Sequence, residues 1–542
     1  MFQDNNKLQG GGYVSKTIFT NGLIYTLDSN QPVVESVVVE NGRIIDLGSH
    51  HEMSLQWGRA GARVIDLQGK MVTPGLIDSH LHMSGVAFNF LDLDLTGVTS
   101  KSEMLDKIKQ KADTVAPGKW LIGMGWDENL FTEGSIPTIE ELDYVAPHCP
   151  IYLKRICYHA FLVNSKALEM SQYHPLIEVP KGGSVILDPQ TKKPTGMLLE
   201  SASQIVTKHI PDKTYDELKN GLGHAMKYAI KKGLTSVHTN DPAYLGGLAQ
   251  TYRMYDELIN QEQKGLRCNL LIDYPYLPTL KEKGMFAGYG NEKLQIGAIK
   301  IFADGAFGRR TALLSEPYSD DPSQFGEAMQ TQEVLFNIVK DAREQSMPIA
   351  VHTIGDKALE DVLDILDQFP KVNYRDRIIH TSLVREDLIA RLADPSIVAD
   401  IQPRFVVGDY PWVIERIGKE REAYLYAWKS LLSKGVICAG GSDAPVEPVD
   451  PLLGIHAAVT RKTPGKPDIW NGDQKISMLE AVKLFTIGGA YATNEEAIKG
   501  TITRGKLADM TVYSKNLFSL ENPDELLNTN IELTIIDGEI QE

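Results

Sequence analysis

Hydrophobic and polar positions follow two styles along this chain. Near the start, short apolar runs are broken by turn pairs. Thr17-Ile18-Phe19-Thr20 is followed by Asn21-Gly22 and Leu23-Ile24-Tyr25-Thr26-Leu27, and Ser36 to Glu40 by Asn41-Gly42 and Arg43 to Gly48. Asn-Gly between apolar runs predicts a hairpin. A further strand, Arg63 to Leu67, ends at Gln68-Gly69-Lys70, and the far end of the chain returns to the same style in Ala508 to Tyr513 and Ile531 to Gly538. The two ends are expected to build one small β-domain from residues 16–70 and 495–542.

Between them, continuous apolar runs alternate with stretches of helical period, such as Leu218 to Ile230 and Val334 to Arg343. That alternation predicts a parallel α/β architecture. Candidate strands are 72–79, 234–239, 268–273, 297–302, 348–352, 377–381, 397–402 and 436–442. Eight strands of this kind predict a (β/α)8 TIM barrel, assigned to residues 71–84 and 216–494. The first two strands are too far apart for one crossover. Residues 85–215 therefore read as an insertion after barrel strand 1, with strands of its own at Trp120 to Trp126 and Ile151 to Arg155. An insertion there lands at the C-terminal face of a barrel, where it is expected to cap the active site.

Composition narrows the class. Of 542 residues, 55 are Lys or Arg and 71 are Asp or Glu, a net charge of −16 that argues against nucleic acid or an anionic membrane as partner. No window is long and apolar enough for a membrane span. The opening residues, Met1 to Lys7, lack an export signal, and residues 1–15 are polar and Gly-rich and expected to be mobile. Cys149, Cys157, Cys268 and Cys438 form no CxxC pair and read as reduced thiols of a cytoplasmic protein.

Candidate chemistry sits at the strand ends. His80 and His82 follow the apolar run from Met71 to Ile77. Side chains at i and i+2 of a strand share a side, so the pair is either a metal claw or two unrelated histidines. Lys300 interrupts the apolar run Gly297 to Phe302. A buried lysine is rare, and its neutral amine can capture carbon dioxide; the alternative is a lysine that snorkels out or pairs with Asp304. His352, His380 and Asp443 each close a later apolar run. One such histidine would more often be a hydrogen-bonded core residue, but the recurrence over several strand ends points to a shared site.

The order HxH, Lys, His, His, Asp resembles the amidohydrolase superfamily. Longer words narrow the resemblance to its amidohydrolase-3 or YtcJ-like group: TPGLIDSHLH at 73–82, LKRICYHAFLVNSKAL at 153–168, IKIFADGAFGRRTA at 299–312, VHTIGDKA at 351–358, RIIHTSLV at 377–384, GSDAPVEPVDP at 441–451 and GTITRGKLADMTV at 500–512. N-substituted formamide deformylases are members of this group. The resemblance implies that His80, His82 and Asp443 bind one divalent metal, that His352 and His380 bind a second, and that carboxylated Lys300 bridges them. Zinc suits this donor set, with manganese or iron open. The implied reaction is hydrolysis of a non-peptide C–N bond in a small, neutral or weakly polar amide- or formamide-like molecule by metal-activated water, with Asp443 moving the proton. Two alternatives stand beside it. One is a mononuclear-metal hydrolase of other amides or esters. The other is a catalytically inactive barrel that binds a metabolite. The resemblance also raises a homodimer, for which no residue defines an interface.

Further residues are candidates for substrate contact. His159 and Asn164 belong to the inserted word, where a structural hydrogen bond is the alternative. Asp304 and Arg310 follow Lys300 and could orient ligands or bind a polar substrate group. Gln402 and Arg404 follow the seventh strand, and His238 follows the second. Trp126 and Asp127 could line the pocket, though a tryptophan there more often packs. Asp356 reads as structural. Two departures from the family pattern, Ile379 in place of Glu and Arg309 in place of Ser, leave the ligand set intact.

Overall fold

The computed structural model describes residues 16–58, 61–155 and 159–541. The expected mobile start over residues 1–15, and Cys157, lie outside them. Eight parallel strands form a nearly closed barrel: β1 (Leu76–Leu81), β2 (Leu234–Asn240), β3 (Arg267–Asp273), β4 (Leu294–Phe302), β5 (Ile349–Thr353), β6 (Asp376–His380), β7 (Ile397–Ile401) and β8 (Cys438–Gly440). Neighbours in sequence are neighbours in the sheet. Strands such as Ile349-Ala350-Val351 are buried on both faces, which is why they read as unbroken apolar runs. The helix Asp356–Leu366 lays Leu359, Val362, Leu363 and Leu366 against the barrel at helical spacing. β8 and β1 meet just beyond β8, where Asp443 N–H donates to His80 O at 2.7 Å and His82 N–H to Ala444 O at 2.8 Å. That seam brings two distant pieces of the sequence to one place.

The single strand expected over 72–79 is two. Met71–Pro74 pairs with Leu23–Tyr25 and Met510–Tyr513 in a sheet of the chain ends, and only after Gly75 does the chain enter the barrel. A Cβ on Gly75 would stand 2.2 Å from Thr235 Oγ1, so the crossing needs a bare backbone. Residues 71–74 thus leave the barrel and join the small β-structure.

Two sheets make up that structure. One runs Arg43–Gly48, Ser36–Glu40, Thr17–Thr20, Arg63–Asp66; the other runs Glu539–Ile540, Ile531–Ile536, Met510–Tyr513, Met71–Pro74, Leu23–Tyr25, Val33–Val34. Phe19, Ile24, Val37, Ile44, Leu67, Val72, Met510, Val512 and Ile535 share one core between them, so both ends of the chain build one β-sandwich. Asn41-Gly42 makes the expected hairpin, both residues at positive φ. Asn21-Gly22 does not: Thr17–Thr20 and Leu23–Tyr25 lie in different sheets. Only Asn21 has positive φ there, and one left-handed residue re-aims the chain where a two-residue hairpin turn needs two. Arg267 of β3 ties barrel to sandwich through Asp509 at 2.6 Å and through Asp537.

Gly85–His224 forms a separate compact unit. Its six-stranded sheet runs Ser184–Leu187, Pro194–Leu199, Ala160–Val163, Ile151–Arg155, Leu121–Trp126, Leu93–Asp94. The expected strands at 120–126 and 151–155 are present and parallel.

Candidate metal centre

Five strand ends deliver the six residues singled out in the sequence. His80 is the penultimate residue of β1 and His82 follows the strand; Lys300 sits near the end of β4, His352 on β5, His380 at the last position of β6, and Asp443 just past β8. All six line one cavity of about 440 Å³. Strand geometry alone explains the convergence, because parallel barrel strands all end on the same face.

His80, His380 and Asp443 form the tightest group: each offers a ligand atom within 4.8 Å of the other two. His80 Nε2 and His82 Nε2 each lie 3.4 Å from Asp443 Oδ1, and Lys300 Nζ lies 3.1 Å from His80 Nε2. The His352 and His380 rings meet edge to face at 4.5 Å between centroids. His380 (φ 77°) and Asp443 (φ 55°) hold left-handed backbone that non-glycine residues seldom adopt, and such strain clusters at functional sites.

Neighbours fix the rings. His82 Nδ1 is 2.9 Å from Asn240 O, His380 Nδ1 is 2.7 Å from Gln402 Oε1, and His352 Nε2 is 3.0 Å from Gly305 O. For His82 and His380 this leaves Nε2 free to face the cavity, the arrangement that orients metal-binding imidazoles. Burial holds the His80 and His352 imidazoles well below their ordinary value and pushes His380 down to about 4, so all three are neutral donors. Burial likewise lowers Lys300 to about 8. Burial opposes the charge on Asp443, but His82, His380 and Lys300 outweigh it and keep the carboxyl below its usual range. Asp443 Oδ1 is buried without a hydrogen-bond partner. Neutral imidazoles beside an ionised, under-partnered carboxylate fit a divalent cation.

The residues expected to touch substrate are placed otherwise. Gln402 is buried and orients His380, with its amide donating to Asp400 O at 3.2 Å. Asp304 accepts backbone N–H bonds from Leu313, Ile354 and Gly355 at 2.8–3.0 Å and fixes the loop after His352, whose Nε2 lies 3.7 Å away. Arg310 turns from the cavity through a left-handed residue to bind Asp320 at 2.6 Å, leaving Arg309 on the cavity wall. In the insertion, Asn164 caps the helix Ser165–Met170 and bonds Ile151 N–H and Cys149 O, which uses its side chain structurally. His159 is exposed and pairs with Glu200 at 2.8 Å. Trp126 is fully buried in the insertion's core, with Nε1 3.4 Å from Leu153 O. Asp356 receives Ser315 N–H at 3.0 Å, a structural role as expected.

The remaining wall escaped the sequence reading: Phe307, Phe405, Asp409, Trp412, Tyr426 and Glu447. They stand in segments after β4, β7 and β8, outside the strands whose pattern the sequence displays. Their position after C-terminal strand ends was the one available signal.

A hydrolase class follows from this barrel and donor set, and comparison with known proteins gives the family. Residues 63–541 match the Amidohydrolase family, and the chain belongs to it. It is 39% identical over 528 residues to the YtcJ protein of Bacillus subtilis (strain 168), provisionally named an amidohydrolase, covering 97% of this chain and 99% of that protein. It is 26% identical over 536 residues to the N-substituted formamide deformylase of Arthrobacter pascens, covering 96% of each. Among solved structures, an uncharacterised metal-dependent hydrolase from Pyrococcus furiosus superposes with a TM-score of 0.75 at 30% identity, covering 93% of this chain and all of that one.

Proposed function

We propose that this protein is a metal-dependent amidohydrolase that cleaves a non-peptide C–N bond in an amide- or formamide-like small molecule. The observation that carries the reading is the meeting of His80, His380 and Asp443 within 4.8 Å, in a cavity also lined by His82, Lys300 and His352. The match to the formamide deformylase supports the bond type.

His80, His82, His352, His380 and Asp443 would hold one or two divalent ions, zinc first by donor chemistry, with manganese or iron as alternatives. When bound, the cation supplies Lewis acidity to the scissile carbonyl and lowers the pKa of a coordinated water to about 7. Asp443, kept ionised, accepts a proton from the attacking water and returns it to the departing amine nitrogen. Gln402 and Asn240 hold the rings of His380 and His82 in their donor orientation. Lys300 can bridge two ions only as a carbamate, which requires a neutral amine, and burial favours that form. In the single-metal alternative Lys300 stays a free amine. Intact mass of the native protein separates the two by the carboxyl's added mass. The reading implies a small-molecule partner in the cytoplasm, with a homodimer open. Among the described residues no helix is long and apolar enough to cross a membrane.

The test is turnover of a panel of N-substituted formamides, simple amides and carbamates by zinc- or manganese-loaded protein, beside His80→Ala and Asp443→Ala. Hydrolysis by the parent chain and its loss in both variants is the expected result. Saturable binding without turnover across the panel would favour an inactive metabolite-binding barrel.

A further inference from the structure

Granting that this cavity is the active site, its far wall says what else the substrate carries. Besides Asp443, two carboxylates line it, Asp409 and Glu447. Glu447 is matched: Arg404 Nε donates to its Oε2 at 2.9 Å. Asp409 is not. Its Oδ2 accepts the Tyr426 hydroxyl, its Oδ1 has no partner, and among the described residues no lysine or arginine pairs with it. Arg309, on the same cavity, is exposed and makes no ion pair with it. Burial pushes the Asp409 carboxyl up to about 6, with Glu447 adding to the rise and Tyr426 opposing it, so at neutral pH it still carries its charge.

Asp409 is half-buried, and a carboxylate partly withdrawn from water without a cation is costly to keep. Aromatic side chains stand on the same cavity: Phe307, Phe405, Trp412 and Tyr426. Ring faces attract cations, and a carboxylate among rings is the chemistry that recognises an ammonium group. A divalent cation held by the histidines and Asp443 would repel such a group from the reacting end, which would orient the substrate with its amide toward them. We infer that the substrate bears a protonated amine at its non-reacting end, received by Asp409 Oδ1 within this aromatic wall. This replaces the expectation of a neutral or weakly polar amide with a basic one.

Calorimetry on the zinc-loaded full chain tests it, with phenethylammonium and its neutral isostere 2-phenylethanol as probes. The parent protein is expected to bind the ammonium at least about tenfold more tightly, and Asp409→Asn, which keeps an acceptor for Tyr426, to bind the two probes alike. Equal binding of both probes by the parent overturns the inference without any variant. A preference that survives Asp409→Asn, as metal coordination by the amine would give, overturns it too. Binding is read without turnover. Absence of hydrolysis across the amide panel counts only against the hydrolase reading.

Discussion

Arg377 and Asp400 on β6 and β7 are as deeply buried as His80 and Lys300 on β1 and β4, yet the two pairs are provided for in opposite ways. Arg377 offers Nε and Nη2 to Asp400, Nη2 also reaches Ser79 O, and Ser79 Oγ donates to the other Asp400 oxygen. Charge cancels charge in place. One layer up, at the strand ends, four imidazoles, an amine and a carboxylate crowd together, and Asp443 Oδ1 and His80 Nδ1 lack hydrogen-bond partners. Burial of a charged group therefore does not mark a functional site in this barrel. Arg377 Nη1 and both His238 ring nitrogens are unpartnered too, so what marks the site is several metal-ligating groups crowded onto one cavity, where a cation from outside can complete them.

Four changes sharpen that contrast, the largest first. Asp443→Asn is expected to lower kcat by roughly 10²–10⁴-fold with little change in unfolding free energy, since it removes proton transfer and not packing. Steady-state kinetics with denaturant melts checks this, and an active variant would sink the role. Arg377→Met strands Asp400 and should cost about 3–5 kcal/mol of stability, with much of it recovered in the double variant Arg377→Met, Asp400→Leu. If the single variant melts like the parent, the lower layer is not the structural one.

The third concerns pH. Burial holds His380 near 4 in the fold, whereas an unfolded imidazole titrates near its ordinary value of about 6.5. The depressed value means the unfolded chain binds the proton first. Stability of the metal-stripped protein should be full above that ordinary value and decline as pH falls through it toward 4, less steeply in His380→Gln. Melting temperatures across that range, alike in slope for both proteins, would contradict the assignment. Last, Gln402→Leu frees the His380 ring and should weaken metal affinity about 10–100-fold with the fold unchanged. Competition with a chelator measures it, and an unchanged affinity would return Gln402 to a substrate contact.

These residues also show where the sequence was readable. His80, His82, Lys300, His352, His380 and Asp443 were legible because each breaks or closes an apolar strand, and parallel strands all end on one face. The seam at Asp443 and His80 was not, since it joins the first and last strands. Gln402 reads in the sequence as a substrate contact and instead holds His380, whereas Asp304 takes the ligand-orienting one of its two expected roles, at the loop after His352. Strand period says which side a residue faces, not what it bonds. Arg310 and Arg309 differ by one position and a left-handed turn, which no periodicity encodes. Phe307, Phe405, Asp409 and Trp412 come from helical pieces of only three to six residues, too short for a periodic pattern to show in the sequence. The split of 72–79 was hidden because Met71–Pro74 and Leu76–Leu81 are both buried, and only the crowding at Gly75 tells them apart.

Metal content is the most direct test of the account. Elemental analysis of the native protein, of His80→Ala and of Arg377→Met should find one or two equivalents of a divalent transition metal in the first, a large loss in the second although it remains folded, and retention in whatever part of the third folds. Equal metal in His80→Ala and the parent chain would contradict it.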